Sequence, residues 1–118
     1  MKNRPFRVRL GFALAGLRIV WARESSFRTQ CALALLAAAV TAALRPGLVW
    51  GAILALSVAL VLLLEMVNAA LEYVIDRLHP DIHDEIMFAK DAAAGAVFLA
   101  SFASLVIGGL MVLSVLLR

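Results

Sequence analysis

The sequence predicts an all-α membrane protein with three transmembrane helices and an N-terminal amphipathic interfacial helix, and three observations indicate this fold class. Hydrophobic residues make up 64% of the 118 positions, and the mean hydropathy of +0.99 is typical of membrane proteins. An uncharged run of about 26 residues, 92–117, exceeds the roughly 20 residues that a helix needs to cross a bilayer. Two shorter uncharged runs, 31–44 and 48–64, precede it. We expect a single membrane-embedded domain, 1–118.

The N-terminal segment 5–26 is predicted to form a helix on the membrane surface. Asn3 and Pro5 suit a first helical turn, since Asn can cap it and Pro lacks an amide hydrogen. Apolar residues then recur at helical spacing within an arc of about 100°. These residues are Phe6, Leu10, Ala13, Leu14, Leu17 and Trp21. Arginines flank this arc on both sides, as in helices that lie flat in the interface. If the helix continued, Glu24 would lie on the apolar face, and the periodicity does not explain a charged residue there.

The three spans are predicted at 28–45, 48–77 and 88–117, the second with a cytoplasmic extension. The short segment 45–47, Arg-Pro-Gly, separates the first two spans and indicates a tight turn. Small residues recur at every fourth position of the last span, and such residues let membrane helices approach closely. They are Ala92, Ala96, Ala100, Ser104 and Gly108. The sequence does not say whether they face another helix of the chain or a second subunit.

Basic residues are unevenly distributed along the chain. Seven Lys and Arg residues lie between the N-terminus and the start of the first span at Arg28, which is the seventh, and the connection 72–90 contains Arg77 and Lys90. The positive-inside rule therefore puts the N-terminus and this connection in the cytoplasm. The net charge of +3 follows from this topology and from contact with lipid headgroups, so no nucleic acid partner is implied. The single cysteine, Cys31, excludes a disulfide framework and is expected to pack in the first span.

The segment from Glu65 to Asp91 contains seven of the eight acidic residues of the chain. If the second span stays helical, Asn68, Glu72 and Asp76 follow Glu65 within an arc of about 80°, which makes a polar stripe on an apolar helix. Glu65 lies about 25 Å from the outer end of this span. A carboxylate inside a membrane is costly, about 2.5 to 3.5 kcal/mol at the midplane, and its default interpretation is functional.

The polar stripe has the components for phosphoryl transfer to a membrane-embedded alcohol. Glu65 is at the depth of a lipid headgroup hydroxyl and is a candidate general base. Glu72, nearer to water, suits a divalent cation, and Lys90 offers a positive charge for phosphate. The chain has no P-loop or protein-kinase signature. Spacing alone leaves two other possibilities open: a structural hydrogen-bond network in a non-catalytic membrane assembly, and part of an ion-conducting bundle or proton path.

Several motifs, which together cover about residues 10–97, resemble the prokaryotic diacylglycerol kinase family, which includes the undecaprenol kinases. They are Gly16-Leu17-Arg18, Glu24-x-x-Phe27-Arg28, Glu65-x-x-Asn68-x-Ala70-x-Glu72-x-x-x-Asp76, His83 and Ala89-Lys90-Asp91-x-x-x-x-Ala96-Val97. The resemblance implies a lipid kinase of the bacterial inner membrane. It also implies a homotrimer with composite active sites between subunits, with Mg2+ as cofactor and ATP as phosphoryl donor.

The resemblance also implies roles for individual residues. Glu65 resembles the catalytic base and Asn68 a residue that supports it, while Glu24 and Glu72 resemble the carboxylates that hold the ATP-bound metal. The resemblance further implies a nucleotide site and a border of the lipid-substrate cleft. The residues concerned are Asp81, His83, Lys90 and Asp91 for the nucleotide, and Phe27 and Arg28, beside Glu65, for the lipid.

The sequence departs from the family pattern at two places. Met87 and Phe88 stand where a basic residue is usual before Ala-Lys-Asp, and Ala15 replaces a lysine common in the surface helix. Both changes remove a possible phosphate contact and leave the carboxylates intact, so we expect an active enzyme with weaker nucleotide binding. Diacylglycerol is the expected substrate. Undecaprenol is the alternative, because Ala93-Ala94-Gly95 is similar to the undecaprenol kinases.

Overall fold

The protein, in a computed structural model that describes residues 2–81 and 83–118, consists of helices joined by short connections. In this part of the chain the helices are α1 (Phe6–Arg23), α2 (Ser25–Leu44), α3 (Leu48–Leu78) and α4 (Asp84–Leu116). Three of them, α2, α3 and α4, are long and apolar enough to cross a membrane. The prediction of an all-α membrane protein with three spans is therefore confirmed.

The chain turns a corner between α1 and α2 at Glu24. The predicted surface helix 5–26 ends earlier than expected, at Arg23, because the backbone of Glu24 is extended (φ −110°, ψ 103°) and α2 begins at Ser25. Glu24 therefore does not continue the phase of α1, and its carboxylate is free to turn toward α3. Exposed apolar side chains also lie off the predicted arc of α1, as Phe12 and Ile19 show. The interfacial, amphipathic character of α1 stays a prediction.

A tight turn connects α2 to α3. Arg45 adopts a left-handed conformation (φ 52°) and ends α2, and Gly47 (φ 110°) provides a conformation that residues with a side chain rarely adopt. From the far end of the chain, the Arg118 guanidinium donates hydrogen bonds to the carbonyl oxygens of Arg45 (2.9 Å) and Leu44 (3.1 Å). These contacts satisfy backbone acceptors that the end of a helix leaves without partners.

Helices α3 and α4 form the most extensive helix pair in the described part of the chain. The hydroxyl oxygens of Ser57 and Ser104 lie 3.1 Å apart across this interface, and Ala100, one turn before Ser104, is buried. Ala92, at the start of the small-residue series, is exposed. The middle of the series therefore faces α3 of the same chain. Small side chains at this interface let the two helix backbones approach closely.

The α3–α4 connection is short because both helices extend beyond the predicted spans. Helix α3 continues to Leu78, and α4 begins at Asp84, four residues before the predicted start at 88. His83 caps α4, since its Nδ1 atom accepts a hydrogen bond of 3.2 Å from the backbone N–H of Glu85. At 31 and 33 residues the helices are about 46 to 50 Å long, more than a hydrocarbon core of about 30 Å requires.

Candidate active site

Glu65 is the buried carboxylate of α3. Only 7% of the residue is exposed, and it is the one buried charged residue in the described part of the chain. The Oγ hydroxyl of Ser26, in the first turn of α2, lies 3.1 Å from Oε2 of Glu65 and donates a hydrogen bond to it. Burial of a charge is costly unless the charge is hydrogen-bonded, so Ser26 offsets part of this cost.

A second carboxylate lies at the corner between α1 and α2. The hydroxyl of Tyr73, on α3, donates a hydrogen bond of 2.8 Å to Oε1 of Glu24. The guanidinium of Arg23 lies over the Tyr73 ring, 5.4 Å from its centroid, within the range of a cation–π contact. The corner therefore contacts the same helix that carries the polar stripe.

The corner is held against α3 by a small apolar cluster. Val20, Phe27 and Ala69 are buried together, and Cys31 and Met66 pack against them. Phe27, which the resemblance places at the border of a lipid cleft, is 6% exposed, and its ring packs into this cluster. The role of Phe27 at a lipid cleft stays a prediction.

Arg28 holds the corner from the other side. Its Nη1 atom donates hydrogen bonds to the carbonyl oxygens of Trp21 and Ala22 in the last turn of α1. A cation at the C-terminus of a helix also interacts favourably with the helix dipole. Arg28 thus fixes the angle at which α1 leaves α2, and with it the position of Glu24.

The polar stripe carries oxygen donor atoms of the types that Mg2+ accepts. Asn68 and Glu72 are partly buried on α3, and Asn68 Oδ1 is buried without a hydrogen-bond partner in the described residues. Carboxylate and amide oxygens are ligands that Mg2+ accepts, and it commonly uses only one or two carboxylates together with phosphates. Within residues 2–81 and 83–118, no group of three or more His, Cys, Asp or Glu side chains is arranged to hold a metal.

Lys90 is paired with Asp76, the last residue of the polar stripe. Its Nζ atom lies 2.5 Å from Oδ1 of Asp76, so the start of α4 is joined to the C-terminal end of α3. Asp91 and Asp81 are exposed, and His83 caps α4. Among the described residues, no hydrogen bond or ion pair joins Asp81, His83 or Asp91 to Glu24 or Glu65. Among the predicted site residues, Glu24 and Glu65 therefore take part in hydrogen bonds between the corner and α3, and Lys90 is bonded separately to Asp76.

An apolar groove of about 590 Å³ lies between α2, α3 and α4, deeper along the spans. Its few polar side chains include Gln30, Ser101 and Ser104, and none of the predicted site residues lines it. We therefore locate the candidate chemistry at the corner and not in this groove, since phosphoryl transfer requires charged and polar groups.

Two residues that contact the carboxylates, Ser26 and Tyr73, were missed by the sequence interpretation. The sequence motifs assign no role to Ser26, in the first turn of α2, or to Tyr73, on α3. Tyr73 lies about 80° from Glu65 in helical phase and about 60° outside the polar stripe, so the stripe does not indicate it. Nothing in the sequence pattern pairs either hydroxyl with a carboxylate, because the partners lie 39 and 49 residues away in sequence.

Comparison with known families gives a match over most of the chain. The model of the family described as prokaryotic diacylglycerol kinase matches residues 11–112. This range includes the corner, the whole of α3 and the start of α4. All the predicted site residues lie within it.

Named relatives show the same similarity. A diacylglycerol kinase of Synechocystis sp. is 36% identical over 107 residues, which cover 90% of this chain and 61% of that protein. The diacylglycerol kinase of Escherichia coli strain K12 is 34% identical over 90 residues, 76% of this chain and 74% of that protein. The diacylglycerol kinase of Haemophilus influenzae is 33% identical over 101 residues, 85% and 86% of the two chains. The chain thus spans less than two thirds of the Synechocystis protein and about three quarters or more of the other two.

Proposed function

The chain belongs to the prokaryotic diacylglycerol kinase family, and we propose that it is a lipid kinase that transfers the γ-phosphoryl group of ATP to the free hydroxyl of diacylglycerol. The products are phosphatidic acid and ADP. The reaction takes place at the cytoplasmic face of a bacterial inner membrane, with the N-terminus in the cytoplasm as the basic residues predict. The observation that carries the proposal is the burial of Glu65 within an apolar helix.

Glu65 acts as the general base in this proposal. Its carboxylate accepts the proton of the lipid hydroxyl while the hydroxyl oxygen forms a bond to the γ-phosphorus, and the bond from that phosphorus to the bridging oxygen of ADP breaks. Burial supports this role, because a lipid alcohol at the membrane surface can reach a base at this depth without leaving the bilayer. Asn68, one helical turn away, is the residue that supports the base in this proposal, and its amide oxygen has no hydrogen-bond partner among the described residues.

Glu24 and Glu72 would hold the magnesium ion of Mg-ATP in this proposal. When bound, the ion neutralises charge on the phosphates, which accounts for much of the catalysis in phosphoryl transfer. Lys90 contacts a phosphate after it exchanges its partner Asp76 for the nucleotide, and Asp81, His83 and Asp91 border the nucleotide. Arg28 maintains the corner beside the lipid. The family resemblance supports these assignments, together with a homotrimer in which neighbouring subunits complete each site.

The test is a direct comparison of lipid substrates. Purified protein in mixed micelles receives labelled ATP, Mg2+ and either diacylglycerol or undecaprenol, and the labelled lipid product is separated and counted. We expect faster phosphorylation of diacylglycerol, since the three relatives compared above are all named diacylglycerol kinase. Faster phosphorylation of undecaprenol would reassign the substrate. No labelled product from either lipid would overturn the kinase proposal and favour a non-catalytic assembly or an ion-conducting bundle.

A further inference from the structure

Two hydrogen bonds of opposite direction connect the corner between α1 and α2 to α3. Ser26 of the corner donates to Glu65 of α3, at 3.1 Å, and Tyr73 of α3 donates to Glu24 of the corner, at 2.8 Å. Each bond runs from a neutral hydroxyl to a carboxylate, and each connects the corner to α3. The two carboxylates to which we assign the base and a metal ligand are therefore each held by a side chain from the opposite element.

We propose that Ser26 and Tyr73 are positioning residues, Ser26 for the base Glu65 and Tyr73 for the metal ligand Glu24. This inference rests on the function proposed above and deepens it. Neither hydroxyl is assigned to contact substrate, metal or nucleotide. Each acts through the carboxylate that it holds, because fixing one oxygen restricts the rotation of the carboxylate and directs its other oxygen.

The second oxygen of each carboxylate remains available for its function. Ser26 engages Oε2 of Glu65, and Tyr73 engages Oε1 of Glu24. No side chain among the described residues donates a hydrogen bond to the other oxygen of either group. One oxygen of Glu65 is thus left to accept a proton from a lipid hydroxyl, and one oxygen of Glu24 is left for a cation.

The elements that carry the two hydroxyls are themselves fixed. Phe27, next to Ser26, is buried against Ala69, which is one turn from Glu65 and from Tyr73 on α3. Arg23 lies over the ring of Tyr73 and restricts its orientation. A positioning group works only if its own position is held, and here apolar packing and the cation–π contact provide that restraint.

The two hydroxyls are expected to affect different kinetic constants. Loss of the Ser26 hydroxyl disturbs the base and lowers kcat, while the KM for Mg-ATP stays within about twofold, because the metal ligand is untouched. Loss of the Tyr73 hydroxyl disturbs the metal ligand and raises the KM for Mg-ATP, while kcat stays within about threefold. Loss of a hydrogen bond to a charged group is expected to change kcat in the first case, and the KM for Mg-ATP in the second, by about tenfold.

The experiment measures kcat and KM for Mg-ATP with the full chain and diacylglycerol. The variants are Ser26→Ala, Ser26→Thr and Tyr73→Phe, which keeps the ring under Arg23. Ser25→Ala is the matched control, because Ser25 is the exposed neighbour of Ser26 and its hydroxyl makes no hydrogen bond among the described residues. We expect Ser26→Ala to lower kcat about tenfold, Ser26→Thr to restore most of it, and Ser25→Ala to match the original protein.

A double-variant cycle tests the Tyr73 assignment. In the Glu24→Gln background, Tyr73→Phe is expected to raise the KM for Mg-ATP no further, because the ligand that Tyr73 positions is already altered.

The inference would be overturned if Ser26→Ala and Tyr73→Phe lost kcat equally, with lowered thermal stability in both and an unchanged KM. That result would indicate a purely structural role. Unchanged kinetics in both variants would overturn it too, while leaving the kinase proposal intact. An original protein that phosphorylates no lipid overturns the kinase proposal and this inference with it.

Discussion

Ser26 and Glu65 are 39 residues apart in sequence, yet the hydroxyl of the first donates a 3.1 Å hydrogen bond to the carboxylate of the second. The contact brings the first turn of α2 to the most buried charge of α3. The residues of the polar stripe on α3 differ in burial along the helix. Glu65 is buried and hydrogen-bonded, Asn68 and Glu72 are partly buried, and Asp76 is exposed and paired with Lys90. A proton-accepting group in the apolar layer and charged groups near water are the arrangement that phosphorylation of a membrane lipid requires.

Replacing Glu65 by glutamine should abolish turnover and leave the fold intact. The substitution removes the base at nearly constant shape, and the amide oxygen can still accept the hydrogen bond from Ser26. General bases contribute about 10² to 10⁴ in rate, so we expect kcat to fall by at least about a hundredfold. Size-exclusion chromatography and thermal unfolding should match the original protein. Glu85→Gln, at an exposed acidic residue in the first turn of α4, is the control. Retention of more than about a tenth of the turnover would remove Glu65 from the role of base.

Replacing Glu24 or Glu72 by glutamine should raise the magnesium requirement. Each substitution removes the charge of one proposed ligand, while in Glu24→Gln the side-chain amide keeps an oxygen that can accept the hydrogen bond from Tyr73. We expect the Mg2+ concentration for half-maximal activity to rise about tenfold in each variant, measured at saturating ATP. Asp84→Asn, at an exposed position that starts α4, should leave it unchanged. An unchanged magnesium requirement in both glutamine variants would contradict the assignment of these carboxylates.

Replacing Arg28 by glutamine should destabilise the corner. The variant loses the guanidinium that donates to the carbonyl oxygens of Trp21 and Ala22 at the end of α1. Because these bonds are partly exposed, we expect a loss of about 1 kcal/mol in the free energy of unfolding. Thermal unfolding in detergent, followed by circular dichroism, measures this change. Arg18→Gln, on the exposed surface of α1, is the control and should have little effect. Equal stability of the two variants would show that the Arg28 contacts contribute nothing measurable.

Replacing Ser57 by alanine should weaken the α3–α4 interface modestly. Its hydroxyl oxygen lies 3.1 Å from that of Ser104. Hydrogen bonds between membrane helices contribute about 0.6 kcal/mol on average, and we expect a loss of that order. Unfolding by added denaturing detergent, with a double-variant cycle that includes Ser104→Ala, isolates the pair. Ser114→Ala is the control, since that hydroxyl bonds within its own helix to the Met111 carbonyl. A coupling energy near zero between Ser57 and Ser104 would show that the two hydroxyls do not stabilise each other.

Much of the fold follows from the sequence because membrane helices have simple requirements. Uncharged runs of sufficient length must form helices that satisfy their own backbone hydrogen bonds in lipid, so the three spans were predictable. The polar stripe was predictable for a related reason, since a helix places residues three or four apart on one face and α3 continues unbroken through Asp76. The end of α1 was less predictable. A prediction from helical phase assumes that the helix continues, so the predicted surface helix ran past Glu24 to residue 26. The backbone of Glu24 is in fact extended, and α1 ends at Arg23.

The sequence by itself determined the membrane class of this protein, its three spans and the polar face of α3. Only the tertiary structure decided which residues meet that face. Helical periodicity describes how residues of one helix are arranged around its own axis, and it contains no information about which side chain of another helix packs against them. The pairing of Ser26 with Glu65, and of Tyr73 with Glu24, depends on the corner at Glu24 and on the burial of Phe27 against Ala69. Those contacts arise from the packing of α1 and α2 on α3, which brings distant residues of the chain within hydrogen-bond distance.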